Sequence, residues 1–271
     1  MKLAITALLS AAIAVGGTHA PKAPAVVTIH AHDFAFDAPK TLKPGATTFR
    51  LVNDGKQLHH LTIIKLAKGK TFKDFTESMK VEGPPPKWIT GVGGPNAVAP
   101  GTSEEATLML EPAEYVIVCF IPSPGETAPH ASKGMVGSFT VSEGGDGAPM
   151  PKGDVTLTLT DYKFGFSKPL TAGKHLISVE NGANQSHEVV LVKLNSGKKV
   201  TDFDKFIEKD LMKGAPPGMP MGGIGFLDKG RTAAFPVDLK PGKYALLCFA
   251  PDAKDGKTHA EHGMVSEFEV K

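Results

Sequence analysis

Four residue types recur together twice along the chain. His59, Cys119, His130 and Met135 form one set, and His187, Cys248, His259 and Met264 form the other. In both, ten residues separate the Cys from the second His, and four separate that His from the Met. Two imidazoles, a thiolate and a thioether make a nitrogen–sulfur donor set that suits copper in a one-electron site. The thiolate binds softly and covalently, the imidazoles serve both oxidation states, and a distant thioether helps set the potential. A lone Cys on an apolar strand is otherwise a small hydrophobe, and an exported pair could close a disulfide. The matched spacing speaks against both, because packing alone does not demand the same His and Met at the same distance. A bond between equivalent central strands of separate domains is also sterically awkward.

The two sets belong to a longer internal repeat. Asp33-Phe34-Ala35-Phe36 matches Asp161-Tyr162-Lys163-Phe164, and in the same register Gly45, Asn53 and His59 match Gly173, Asn181 and His187. After one inserted residue, Tyr115 and Cys119-Phe120 match Tyr244 and Cys248-Phe249, and Gly134-Met135-Val136 matches Gly263-Met264-Val265. A stretch rich in Gly and Pro lies between the copies, as linkers do. The expected organisation is a leader over 1–25, a first domain over 26–142, a linker over 143–153 and a second domain over 154–271.

Each copy reads as strands. Val155 to Thr160 alternates apolar residues with Thr, the mark of a half-buried strand, and Val26 to His30, Thr47 to Val52 and His59 to Leu66 are similar. Tyr115 to Phe120 and Tyr244 to Phe249 are apolar on both faces and read as central strands. One short helix per copy is expected, after Thr71-x-x-Asp74 and Thr201-x-x-Asp204, which resemble capping boxes with Asp in place of Glu. The fold class is therefore all-β: two tandem Greek-key β-sandwiches, each with one short helix.

At this point the sequence resembles the cupredoxins, the plastocyanin, pseudoazurin and amicyanin type of blue copper protein. The resemblance covers nearly all of the mature chain, twice. It rests on Asn53-x5-His59, Tyr115-x3-Cys119, His130-x4-Met135 and Gly137 to Val141, then on Asn181-x5-His187, Tyr244-x3-Cys248, His259-x4-Met264 and Glu267 to Val270. It implies an eight-stranded sandwich per copy, one type 1 copper per domain and electron transfer between redox protein partners, with no substrate transformed. The loop between Cys and the second His is longer here than the family usual. The Asn often found after the first His is replaced by His60 and Glu188, so the support around the ligands differs.

The other His and Met residues carry less. His30 and His32 form a His-x-His pair, but Thr158 and Thr160 stand at the matching positions, which favours a solvated surface. His262 could replace His259, yet Lys133 stands opposite it in the first copy. Met219-Pro220-Met221 could hold Cu(I) or form a soft docking patch, and gap-filling is the commoner use of Met. The alternatives to an electron carrier are an oligomeric multicopper oxidase or nitrite-reductase-like enzyme, with His30 and His32 helping at an inter-subunit copper, and a copper-sequestering or metal-free binding protein.

Composition supports these limits. The chain has 271 residues, only 2 Cys and a net charge of +2 without a Lys/Arg block, so neither a Cys₄ site nor a nucleic-acid partner is indicated. Met1 to Ala20 reads as a secretory signal, with Lys2 before an apolar run from Leu3 to Val15, and cleavage after Gly17, Ala20 or Ala25. That run is too short to span a bilayer. A secreted or periplasmic protein follows, without a membrane span once the signal is removed.

Overall fold

The computed structural model describes residues 22–81, 83–145 and 147–271. Of the expected leader, residues 1–21 lie outside the described residues, while Ala25 already opens the first strand.

The first half contributes β1 (Ala25–His32), β2 (Ala35–Asp37), β3 (Thr41–Leu42), β4 (Gly45–Asn53), β5 (Thr62–Leu66), α1 (Phe72–Ser78), β6 (Ile89–Gly93), β7 (Ser103–Leu110), β8 (Ala113–Val118) and β9 (Val136–Val141). The second contributes β10 (Val155–Thr160), β11 (Lys163–Phe166), β12 (Gly173–Asn181), β13 (His187–Leu194), α2 (Asp202–Asp204), β14 (Gly218–Leu227), β15 (Thr232–Leu239), β16 (Gly242–Leu247) and β17 (Val265–Val270). Alternation decides which face each strand buries. In β10, Val155, Leu157 and Leu159 are buried while Thr156, Thr158 and Thr160 face outward. β8 lies between β5 and β9, and β16 between β13 and β17, as expected of strands apolar on both faces.

The two sandwiches are fused edge to edge. β15 pairs with β7 through Ala233 and Leu108, and β14 pairs with β6 through Leu227 and Val92. The result is two continuous sheets, of eight and nine strands, with one apolar core running between them through both halves. Joining edge strands in this way also hides their unpaired backbone groups from other chains.

Tyr115 and Tyr244 stack on Phe139 and Phe268 and exchange hydrogen bonds with the backbone of Glu111 and Lys240, pinning each central strand to its preceding turn. The first expected capping box is present: the Thr71 side chain accepts from Asp74 N–H, and the Asp74 side chain accepts from Thr71 N–H. At the second, Thr201 has a helical backbone (φ −65°, ψ −15°) instead of an extended one, and α2 passes into a π-turn over Lys205–Lys209.

Candidate metal centres

Each central strand delivers its Cys to the end of the sandwich, and the long loop after it carries the second His back. His130 N–H donates to Ile121 O, and Ala131 N–H donates to Cys119 O. Pro122 and Pro129 bridge across the loop like a short hairpin. A 3₁₀ turn over His130–Lys133 then ends at Gly134, whose φ of 103° suits glycine and turns the chain into Met135. The second half repeats the device, with His259 N–H on Ala250 O, Ala260 N–H on Cys248 O and Gly263 at φ 88°. The ten-residue loop is thus compatible with a His that returns beside its Cys.

Both sets converge. In the first half, Nδ1 of His59 and Nδ1 of His130 are 3.1 Å apart, and Cys119 Sγ lies 3.9 and 3.5 Å from them. In the second, the two Nδ1 atoms of His187 and His259 are 2.9 Å apart, with Cys248 Sγ at 3.8 and 3.3 Å. All six donor residues are wholly buried, and neither cysteine is in a disulfide. Met135 and Met264 are buried in the same core. Met135 N–H donates to His130 O while its carbonyl accepts from Cys119 N–H, and Met264 N–H donates to His259 O.

The outer bonds of the imidazoles fix what the inner nitrogens offer. His59 Nε2 is 2.8 Å from Asp33 Oδ1. Burial raises Asp33, but hydrogen bonds from Lys56 N–H, His59 and Gln57 N–H outweigh it and hold the carboxyl below its ordinary range. Burial in turn lowers His59 despite Asp33. A neutral ring beside an ionised carboxylate donates its Nε2–H, so Nδ1 is left with a bare lone pair. His130 donates Nε2–H to Gln57 Oε1 at 3.1 Å, and burial with neighbouring His59 lowers its pKa to about 4. Two bare lone pairs therefore face each other beside a thiol that burial pushes up to about 12. Two facing lone pairs beside a buried thiol are the donor set that a copper ion would hold together, with the thiol giving up its proton on binding, so the residues fit copper.

Each half resembles a cupredoxin in fold and in donor set. No family model matches the chain, and no curated protein does. Among solved structures it is similar to the dithionite-reduced auracyanin of the photosynthetic bacterium Roseiflexus castenholzii, at 25% identity over 45% of this chain and 100% of that one, with a TM-score of 0.32. It is also similar to the blue copper oxidase of Nitrosomonas europaea (13% identity, 92% of this chain, 86% of that one, TM-score 0.27). The copper nitrite reductase of Nitrosomonas europaea is a third (14%, 92%, 94%, TM-score 0.26).

Behind the donors the two cupredoxin-like halves diverge. His187 Nε2 meets Asp161 Oδ1 at 3.2 Å, as His59 meets Asp33. His259 Nε2, however, is buried without a hydrogen bond, 3.7 Å from Asp252 Oδ2. Gln185, the counterpart of Gln57, turns to Asp252 instead and donates to Oδ2 at 3.0 Å, while Tyr162 OH donates to the same oxygen at 2.5 Å. The positions held by His60 and Glu188 tie the ligand segments together: Phe120 N–H donates to His60 Nε2 at 2.8 Å, and Phe249 N–H donates to Glu188 Oε1 at 3.0 Å. Burial holds His60 near a pKa of about 4 and raises Glu188 to about 7.

The remaining candidates lie elsewhere. His30 and His32 sit about half exposed in surface pairs with Asp54 and Asp37. His262 is outside the second cluster and pairs with Asp255 at 3.1 Å. Met219 is 63% exposed on β14, and Met221 packs against the core. Asp33, Asp161, Gln57 and Gln185 were not singled out from sequence, although each pair keeps the repeat register of its neighbouring His.

Proposed function

We propose that the chain is an exported, two-site copper electron carrier, with one type 1 copper per domain over 26–142 and 154–271, joined by 143–153. His59, Cys119, His130 and Met135 hold the first ion, and His187, Cys248, His259 and Met264 the second. Copper bound there supplies a one-electron couple, and its partners are redox proteins that dock near the two centres. The chain's own residues do the rest. Asp33 and Asp161 orient the upstream imidazoles, the long loop fixes the second imidazole, and the surrounding core keeps water away from the thiolate. Imidazoles held by second partners, as His59, His130 and His187 are, keep their orientation and tautomer. The observation that carries the reading is the duplicated convergence of two imidazole Nδ1 atoms on a buried free cysteine, all within 4.8 Å.

Among the described residues no helix is long and apolar enough to cross a membrane. The leader over 1–25 supplies the export half of the reading.

Copper titration tests it. Purified protein given Cu(II) should take up two ions per chain with an intense visible thiolate band, and Cys119→Ser or Cys248→Ser should each remove one ion and its share of the band. Absence of any thiolate band would sink the reading. Turnover of oxygen or nitrite that His30→Ala removes would move it to the enzyme class.

A further inference from the structure

The two centres are joined by residues that neither of them uses as a donor. We propose that they exchange an electron inside the molecule, along a buried bridge that runs Cys119–Phe120–His60–Asn96–Glu188–Phe249–Cys248. This rests on the copper reading above.

The bridge is continuous. Phe120 N–H donates to His60 Nε2 at 2.8 Å, so the proton of this neutral ring is on Nδ1 and points to Asn96 Oδ1 at 3.2 Å. That orientation sends Asn96 Nδ2 to Glu188 Oε2 at 3.0 Å, and Glu188 Oε1 accepts from Phe249 N–H at 3.0 Å. Every donor meets an acceptor, and the two directions of donation converge on Glu188, which accepts from Asn96 on one side and from Phe249 on the other. At each end the bridge touches two ligand segments, because Phe120 and Phe249 follow the Cys donors while His60 and Glu188 follow the upstream His donors. His60, Asn96 and Glu188 are 4%, 1% and 3% exposed, so water does not interrupt the path. Phe120 also stacks on Phe226 of the other half, ring centres 5.6 Å apart.

A docking contact alone does not need this chemistry. Burying an imidazole, an amide and a carboxyl between two apolar surfaces forfeits stability that hydrocarbon side chains would supply. The amide occurs once, where the halves meet, since Gly225 stands at the matching position of the second copy. Electronic coupling falls off less steeply through covalent and hydrogen-bonded atoms than across van der Waals gaps. The step balances by itself: one centre is oxidised by one electron, the other is reduced by it, and no proton or further reactant takes part.

The experiment uses the full chain loaded with two copper ions, in a Met264→Gln background that would separate the two bands by replacing the thioether of one centre. Pulse-radiolytic reduction with less than one electron per chain should be followed by a phase, independent of protein concentration, in which one band recovers as the other bleaches. Asn96→Leu should slow that phase by an order of magnitude while both bands and both potentials stay in place. Should Asn96→Leu fail to fold or load, the smaller Asn96→Ala gives the same reading. An unchanged rate in the variant, or two bands without such a phase in the parent, overturns the bridge. Missing bands in the parent overturn the copper reading itself. A purely structural Asn96 would lower the melting temperature and leave the rate alone.

Discussion

Behind the second imidazole of each centre the two halves part: His130 gives its Nε2 proton to Gln57, whereas His259 finds no acceptor and faces Asp252 across 3.7 Å. The exchange of a few residues accounts for it. Ser123 stands where the second half has Asp252, and it accepts from Lys133 Nζ at 2.8 Å. Lys133 also pairs with Glu126 and lies 4.7 Å over the ring of Phe34, which meets His130 edge-on. In the second half His262 replaces Lys133, and it packs on Tyr162 at 5.2 Å and pairs with Asp255. One imidazole is thus backed by a neutral amide under a cation, the other by a carboxylate. Three donors and one thioether recur in each half without change, and the divergence falls on the groups that set their charge environment. Duplication here supplied two centres of one type, and their surroundings make them unequal.

The sharpest way to break that comparison is to remove the glutamines. Gln57→Leu takes away the acceptor that fixes the His130 tautomer, and losses of about 10–100-fold in metal affinity accompany the removal of such partners. Gln185→Leu removes a side chain that makes no hydrogen bond to His259 Nε2, so the second centre should lose only a few-fold. Chelator competition reads each site alone in Cys248→Ser and Cys119→Ser backgrounds. Equal losses at both would show that the glutamines act by packing.

The carboxylate should next appear as a potential. Tyr162 OH, Lys254 N–H and Gln185 hold Asp252 well below the ordinary carboxylate range, so it stays charged at working pH. A fixed negative charge beside His259 favours the oxidised, more positive centre, and Lys133 beside the other ring favours the reduced one. The second centre should therefore have the lower potential. Asp252→Asn should raise it by about 60 mV, a tenfold change in a one-electron equilibrium, and Lys133→Gln should lower the first centre by less, since that cation is partly exposed. Redox titration of each band checks both, and a reversed order of the two potentials would end the comparison.

How much of this could be read from sequence follows from what the repeat keeps. The convergence of two His-Cys-His groups, the central strands and the all-β class were legible because each appears twice in register. Asp33 reads only as a register mark matching Asp161, and Gln57 matches Gln185 in the same register, but nothing in spacing says that a carboxylate or an amide ends behind a ring. His60 follows a donor in the chain but is not one of the converging residues. What it meets is Asn96, and beyond that the other half. That contact, like the fusion of β7 with β15 and β6 with β14, depends on how two folded copies dock. No local period encodes docking. Asp252 was silent for the opposite reason: its counterpart is Ser123, and a comparison of copies discards the positions where they differ.

The smallest difference between the halves is an ion pair that only the second has. His175 Nδ1 lies 2.7 Å from Asp154 Oδ2 and its Nε2 lies 2.9 Å from Thr171 O, while the counterparts in the first half are Thr47 and Val26. The Asp154 hydrogen bond raises His175 above its ordinary 6.5, with Thr171 O adding to it against the cost of burial. Asp154 is lowered from 3.8, chiefly by His175. A raised histidine contributes stability that is complete below its unfolded value and is lost as pH rises through the folded one. A depressed carboxylate contributes above its unfolded value and loses it as pH falls through the folded one. The pair therefore works between those limits. Asp154 is 44% exposed, so solvent screens it to about 0.2–1 kcal/mol. His175→Gln should lower Tm by no more than about 3 °C near pH 5.5 and by less once the pH has risen through the raised folded value of the ring. Equal losses at both pH values would mean that His175 joins β10 to β12 through uncharged hydrogen bonds alone, and that the pair adds nothing to what distinguishes the second half.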